Sequence, residues 1–161
     1  MEKTVTINID EINLEGILGL PEKAKGVVIF AHGSGSSRLS PRNTYVARVL
    51  QEAGIGTLLF DLLTSKEDQI YEQRFDIGLL ARRLTKATRW LSARAELKEA
   101  SIGYFGASTG AAAALQGASL LGTAIKAVVS RGGRPDLAIP YMEKVLAPTL
   151  LIVGELDTQV L

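Results

Sequence analysis

The chain has no cysteine and a single histidine, His32, among its 161 residues. The first absence excludes disulfides, thiolate catalysis and cysteine-bound zinc; the second excludes a histidine-rich metal centre within the chain. Excess charge is missing too. With 18 Lys and Arg against 17 Asp and Glu the formal charge is +1, so no overall field favours nucleic acid or an anionic membrane, and a charged ligand needs a local site. Long apolar runs are also lacking. The opening MEKTVTINIDEINLEG alternates polar and apolar residues without the apolar segment of a signal peptide, and nothing later approaches membrane-spanning length. The expectation is a soluble cytoplasmic protein with no membrane and no nucleic-acid partner.

What is present is a regular alternation of short apolar runs and amphipathic stretches. Val5, Ile7 and Ile9, then Ile12, Leu14, Leu18 and Leu20, alternate with polar residues on either side of Asp10-Glu11, which predicts an antiparallel hairpin. VVIFA at 27–31 and IGTLLFD read as buried strands, and SIGYF at 101–105, IKAVVS and TLLIVG at 149–154 as further strands. Helices are expected over 44–53, over about 74–97 and along the alanine run from Ala111. In the long helix, Ile77, Leu80, Leu84, Ala87 and Leu91 form one stripe. Its basic residues Arg82, Arg83, Lys86, Arg89 and Arg94 lack interleaved aromatics and read as a solvated face. The order predicts an α/β fold: a three-layer α/β/α sandwich, its sheet mostly parallel with an N-terminal antiparallel hairpin, in one domain over 1–161. The apolar strand at 150–153 has no covering helix after it, so the domain reads as cut at its carboxyl end.

Gly106-Ala107-Ser108-Thr109-Gly110 fits G-x-S-x-G, with an apolar strand before it and helix-forming alanines after it. A nucleophile in a sharp strand-to-helix turn needs glycines two residues to either side so that neighbouring backbone can approach. The helix that follows points N–H groups and a partial positive charge at the site, which favours an oxyanion. Competing motifs fit less well. GYFGASTG has no P-loop lysine, and GSGSSR carries Arg38 where a dinucleotide fingerprint has its third glycine, although Asp61 lies at a suitable distance downstream.

Together, VVIFAHGSGSS, GYFGASTGAAAAL and LLIVGELDTQV resemble the α/β-hydrolases, and SRGGRPDLA at 130–138 narrows the resemblance to the small, lidless enzymes similar to dienelactone hydrolase. The resemblance implies a serine hydrolase of small carboxylic esters or lactones, working through an acyl-enzyme and needing no cofactor or metal. Ser108 matches the nucleophile, and the backbone N–H of Thr109 one oxyanion donor; the Ser34 amide in HGSG is the first choice for the other. Asp157 matches the acid that orients a histidine, with Asp136 as the runner-up. Arg38, Arg42, Arg131 and Arg134 fall on loops at the carboxyl ends of strands; Arg38 and Arg131 are taken as substrate-binding, for a carboxylate or phosphate.

The histidine departs from the family's pattern. The base belongs after the acid in chain order, yet no histidine follows Asp157, and His32 sits where an imidazole ordinarily organises the oxyanion loop. Two explanations fit: a missing carboxyl-terminal strand, histidine loop and helix, or a noncatalytic α/β-hydrolase-like module that binds a small anion or a protein partner. On the first, this chain alone is inactive or very weakly active. Natural substrate and oligomeric state are not legible in the sequence.

Overall fold

The computed structural model describes residues 1–158. Glu2–Ile9 (β1) and Ile12–Gly19 (β2) form the expected hairpin, with Asp10 taking the left-handed turn at φ 53°. The chain then alternates through Gly26–Ala31 (β3), Pro41–Glu52 (α1) and Gly56–Phe60 (β4). Three helices follow, Ser65–Asp68 (α2), Tyr71–Arg74 (α3) and Ile77–Ser92 (α4). Ser101–Ala107 (β5), Thr109–Leu121 (α5), Ile125–Arg131 (β6), Ile139–Met142 (α6) and Thr149–Ile152 (β7) complete the described chain. The seven strands lie in one sheet in the order β1-β2-β4-β3-β5-β6-β7, parallel from β4 to β7, with the hairpin antiparallel at one edge. The α/β architecture is as expected.

Every residue of β4 is buried, which is why GTLLF reads as an unbroken apolar run and not an alternating one. One face of the sheet packs Ile29, Leu58 and Tyr104 under α4 and α5, where Leu80, Leu84, Ala87 and Leu91 supply the predicted stripe. Helix α5 is buried almost all round, and its alanines let it lie close to both the sheet and α4. Tyr104 is fully buried there, its hydroxyl 2.6 Å from Thr88 Oγ1, and burial pushes its pKa up. On the opposite face α1 sets Ala47 against Phe30, Leu59 and Phe105. Fully burying one such leucine or phenylalanine is worth about 1.5–3 kcal/mol.

Two helix starts differ from expectation. Helix α1 starts at Pro41, not 44, because Ser40 caps it by accepting from the Asn43 N–H and proline suits the first turn. The long helix starts at 77, where Asp76 accepts from the Leu79 N–H, and the residues before it form the single-turn helices α2 and α3. The basic face of α4 is partly paired within the chain, Arg83 with Glu67 and Lys86 with Asp10. The expected bare strand is seen: Leu150, Leu151, Ile152 and Val153 are 40–56% exposed. No described helix is long and apolar enough to cross a membrane.

Candidate active site

Because β3 and β5 are neighbours in the sheet, the loops leaving their carboxyl ends, 32–40 and 107–109, meet. Ser108 stands between β5 and α5 at φ 52° and ψ −125°, a left-handed conformation that costs a non-glycine residue on the order of 1–3 kcal/mol. The flanking glycines are dictated by contact. A Cβ on Gly106 would lie 2.5 Å from Ala111 Cα, and one on Gly110 would lie 2.1 Å from the Ala31 carbonyl oxygen. The turn is closed by the Ser108 carbonyl, which accepts from the N–H groups of Ala111 (3.0 Å) and Arg134 (3.2 Å). Ser108 thus faces out from the start of a 13-residue helix whose first N–H groups have no partner within the helix.

Ser34 and Thr109, the two expected oxyanion donors, line one small hollow of about 10 Å³ together with His32, Gly33 and Gly35. The loop that carries Ser34 passes close to the serine: a Cβ on Gly33 would stand 3.0 Å from Ser108 Cβ. His32 is buried and fixes this loop from beneath. Its Nδ1 lies 2.9 Å from the Gly33 carbonyl and its Nε2 accepts from the Leu62 N–H at 3.0 Å, so Nδ1 carries the proton and donates. Burial is the main cause that lowers its pKa, with the Gly33 contact and the charges of Asp61 and Asp68 opposing more weakly. Both nitrogens are engaged, and a neutral imidazole so held has no lone pair to offer Ser108.

The open cleft beside Ser108 has a volume of about 440 Å³. Asp157 lies on its wall, placed there by the turn after β7; a Cβ on Gly132 would be 3.7 Å from Asp157 Oδ2. Asp136, the runner-up acid, is instead exposed and paired with Arg134 through two bonds of 2.9 and 2.8 Å. Arg131, at the end of β6, lines the cleft. Arg38 does not: its guanidinium pairs with Asp61 and Glu15, and its backbone N–H donates to Asp61 as well, so it faces a separate surface hollow. The neighbouring arginine that does line the Ser108 cleft is Arg42, in the first turn of α1.

Asn43, beside Arg42 in the first turn of α1, was not anticipated as a site residue. It lines the cleft while only 2% exposed. Ser40-Pro41 was the signal available, since a cap followed by proline starts the helix early enough to turn Asn43 toward Ser108. Among the described residues four buried side-chain polar atoms lack partners: Asn43 Oδ1, Gln73 Oε1, Thr109 Oγ1 and Arg131 Nε. Two of these residues line the cleft and a third adjoins Ser108.

The dienelactone hydrolase family model matches residues 14–161. A dienelactone hydrolase from Anabaena variabilis is 54% identical, superposes with a TM-score of 0.94, and is covered over 76% of its length by 99% of this chain. An esterase of Pyrococcus furiosus, at 20% identity and a TM-score of 0.73 over 99% of this chain and 76% of its own, shares the fold. A Mycobacterium tuberculosis protein provisionally named a phosphoribosyl transferase is 52% identical over 160 residues, 99% of this chain. The chain spans only 36% of that curated relative.

Proposed function

As a member of the dienelactone hydrolase family, the chain carries a hydrolase fold, and we propose that its reaction is hydrolysis of small carboxylic esters or lactones through an acyl-enzyme on Ser108. The observation that carries the proposal is the strained backbone of Ser108 at a strand-to-helix turn facing an open cleft. Ser108 Oγ attacks the carbonyl carbon as a base takes its proton, the amides of Thr109 and Ser34 hold the oxyanion of the tetrahedral intermediate, and the intermediate collapses to the acyl-enzyme as the same proton passes to the departing alkoxide. Water then releases the acid. In this reading Asp157, on the cleft wall, orients an imidazole and stabilises its charged form. These 161 residues contain no second histidine, and His32 is spent on Gly33 and Leu62. On this reading Ser108 needs a base that these residues do not supply, and the chain alone is expected to be nearly inert.

The same observation favours one other reading, a noncatalytic module that binds an anion or a partner through this cleft. The phosphoribosyl transferase name belongs to a protein about two thirds of which this chain does not match. A fluorophosphonate probe with intact-mass detection, applied to the full-length protein, separates the two. One adduct, lost in Ser108→Ala, is expected; no adduct in a protein that contains a further histidine refutes the hydrolase reading.

A further inference from the structure

The cleft beside Ser108 has two unlike sides. Strand β5 lies between β3 and β6, so the loop after β3 flanks the Ser108 turn on one side and Arg131, Gly132 and Asp157 flank it on the other. A base oriented by Asp157 must serve both Ser108 and the departing alcohol, so it stands on the Asp157 side. The alcohol portion of an ester then lies toward Asp157, and the acyl portion toward Ser36 and Ser40, which line the opposite wall.

That wall has little to offer a fatty chain. Among the described residues Pro41 and Ala107 are the only apolar ones, glycines aside, that line the cleft. Each CH₂ that a pocket buries is worth about fourfold in affinity, and there is almost nothing here to bury it. Hydroxyls are available instead. Ser36 is half-buried, placed by its own N–H, which donates to the Gly33 carbonyl at 3.1 Å. Ser37 Oγ and Ser40 Oγ accept from the N–H groups of Leu39 and Asn43, whereas Ser36 Oγ has no partner among the described residues. Ser36 also lines a second hollow of about 170 Å³, shared with Ser37, Ser65, Asp61 and Asp68, in which Leu63 is the one apolar side chain. The two carboxylates are paired with Arg38 and Arg74, so the hollow presents lone pairs and hydroxyls whose charges are already balanced. We propose that the cleft takes esters or lactones of short hydroxy acids. The acyl group lies along the loop after β3, Ser36 Oγ hydrogen-bonds to a hydroxyl of the acyl chain, and any further hydroxyl reaches past Ser36 toward Asp61 and Asp68. This rests on the hydrolase reading of Ser108 and names the acyl group for it.

The test is kcat/KM of the full-length protein for ethyl acetate, butyrate, hexanoate and the better enantiomer of 3-hydroxybutyrate, each divided by the rate of hydroxide-catalysed hydrolysis of the same ester. Hexanoate is expected within about twofold of acetate, where an apolar acyl pocket would favour it by about a hundredfold or more. The 3-hydroxybutyrate is expected to exceed butyrate by about fivefold, the worth of one neutral hydrogen bond. Ser36→Ala should bring that ratio to about one, and Ser36→Leu should raise hexanoate over acetate by about fourfold or more by adding apolar surface to the wall. Should Ser36→Leu not fold, the Ser36→Ala ratio decides. A preference that climbs with acyl length in the wild type, or a hydroxyl preference that is absent or survives in Ser36→Ala, overturns the acyl subsite alone. Fluorophosphonate labelling of Ser108 in the same samples keeps the two readings apart: no adduct and no turnover of any ester refutes the hydrolase, and the subsite falls with it.

Discussion

Replacing His32 with asparagine distinguishes an imidazole that holds a loop from one that performs chemistry. The asparagine amide N–H₂ can stand in for Nδ1 and keep the bond to the Gly33 carbonyl, but nothing then reaches the buried Leu62 N–H, which His32 Nε2 accepts from at 3.0 Å. An orphaned buried donor costs about 1–3 kcal/mol, so His32→Asn should lose that much. His32→Ala adds the second bond and a cavity, for a total of about 3–5 kcal/mol. The pH dependence is sharper still. An unfolded imidazole titrates near 6.5, and burial holds His32 below that in the folded protein. Below pH 6.5 the unfolded chain therefore takes up a proton that the folded one refuses, and stability falls as pH falls, by up to about 1.4 kcal/mol per unit, until the folded group titrates too. Above pH 6.5 the contribution is fully present. Urea denaturation of the full-length protein from pH 5 to pH 8 should show this acid limb in the wild type and lose it in both variants. Wild-type and variant profiles that run parallel below pH 6.5 would refute the assignment of a buried neutral imidazole.

Ser108→Gly should abolish fluorophosphonate labelling yet raise stability by about 1 kcal/mol or more, because glycine adopts φ 52° without strain; a melting temperature below that of the wild type contradicts the strained turn. Gly110→Ala places a methyl 2.1 Å from the Ala31 carbonyl oxygen, so insoluble or unfolded protein is expected, and a normal thermal melt would show that the β3–α5 approach is looser than described. Thr88→Val strips the buried Tyr104 hydroxyl of its partner and should cost about 1–3 kcal/mol by thermal denaturation. Adding Tyr104→Phe should return most of that loss, and a double variant no better than the single one counts against the pair.

Much of the fold could be read from local signals. The apolar runs of β3, β4 and β5 became largely buried strands while that of β7 stays exposed, and the stripe from Leu80 to Leu91 became the inner face of α4. The helices α2 and α3 were missed because four residues are too few to show a period of 3.6; what fixes α2 is a capping box between Thr64 and Glu67 and the ion pair of Glu67 with Arg83, 16 residues away. The site divides along the same line. Ser108, Thr109 and Asp157 fall where motif and chain order put them, around one turn and one loop. Arg38 does not reach the cleft, because its partners Glu15, on β2, and Asp61, just after β4, each lie 23 residues away, and no local pattern announces such pairing. Asn43 went unnoticed for the complementary reason: a polar residue in a first helical turn looks ordinary until the sheet order sets that turn beside Ser108.

The carbonyl of Ser108 ties two stretches of chain, α5 through Ala111 and the loop after β6 through Arg134. Both amides therefore exchange with solvent only when the nucleophile's own peptide lets go. Amide exchange at these two positions becomes a clock for the turn: matched protection of Ala111 and Arg134 means that it opens as a unit, and faster exchange at Arg134 means that the loop lifts away while the serine stays cocked.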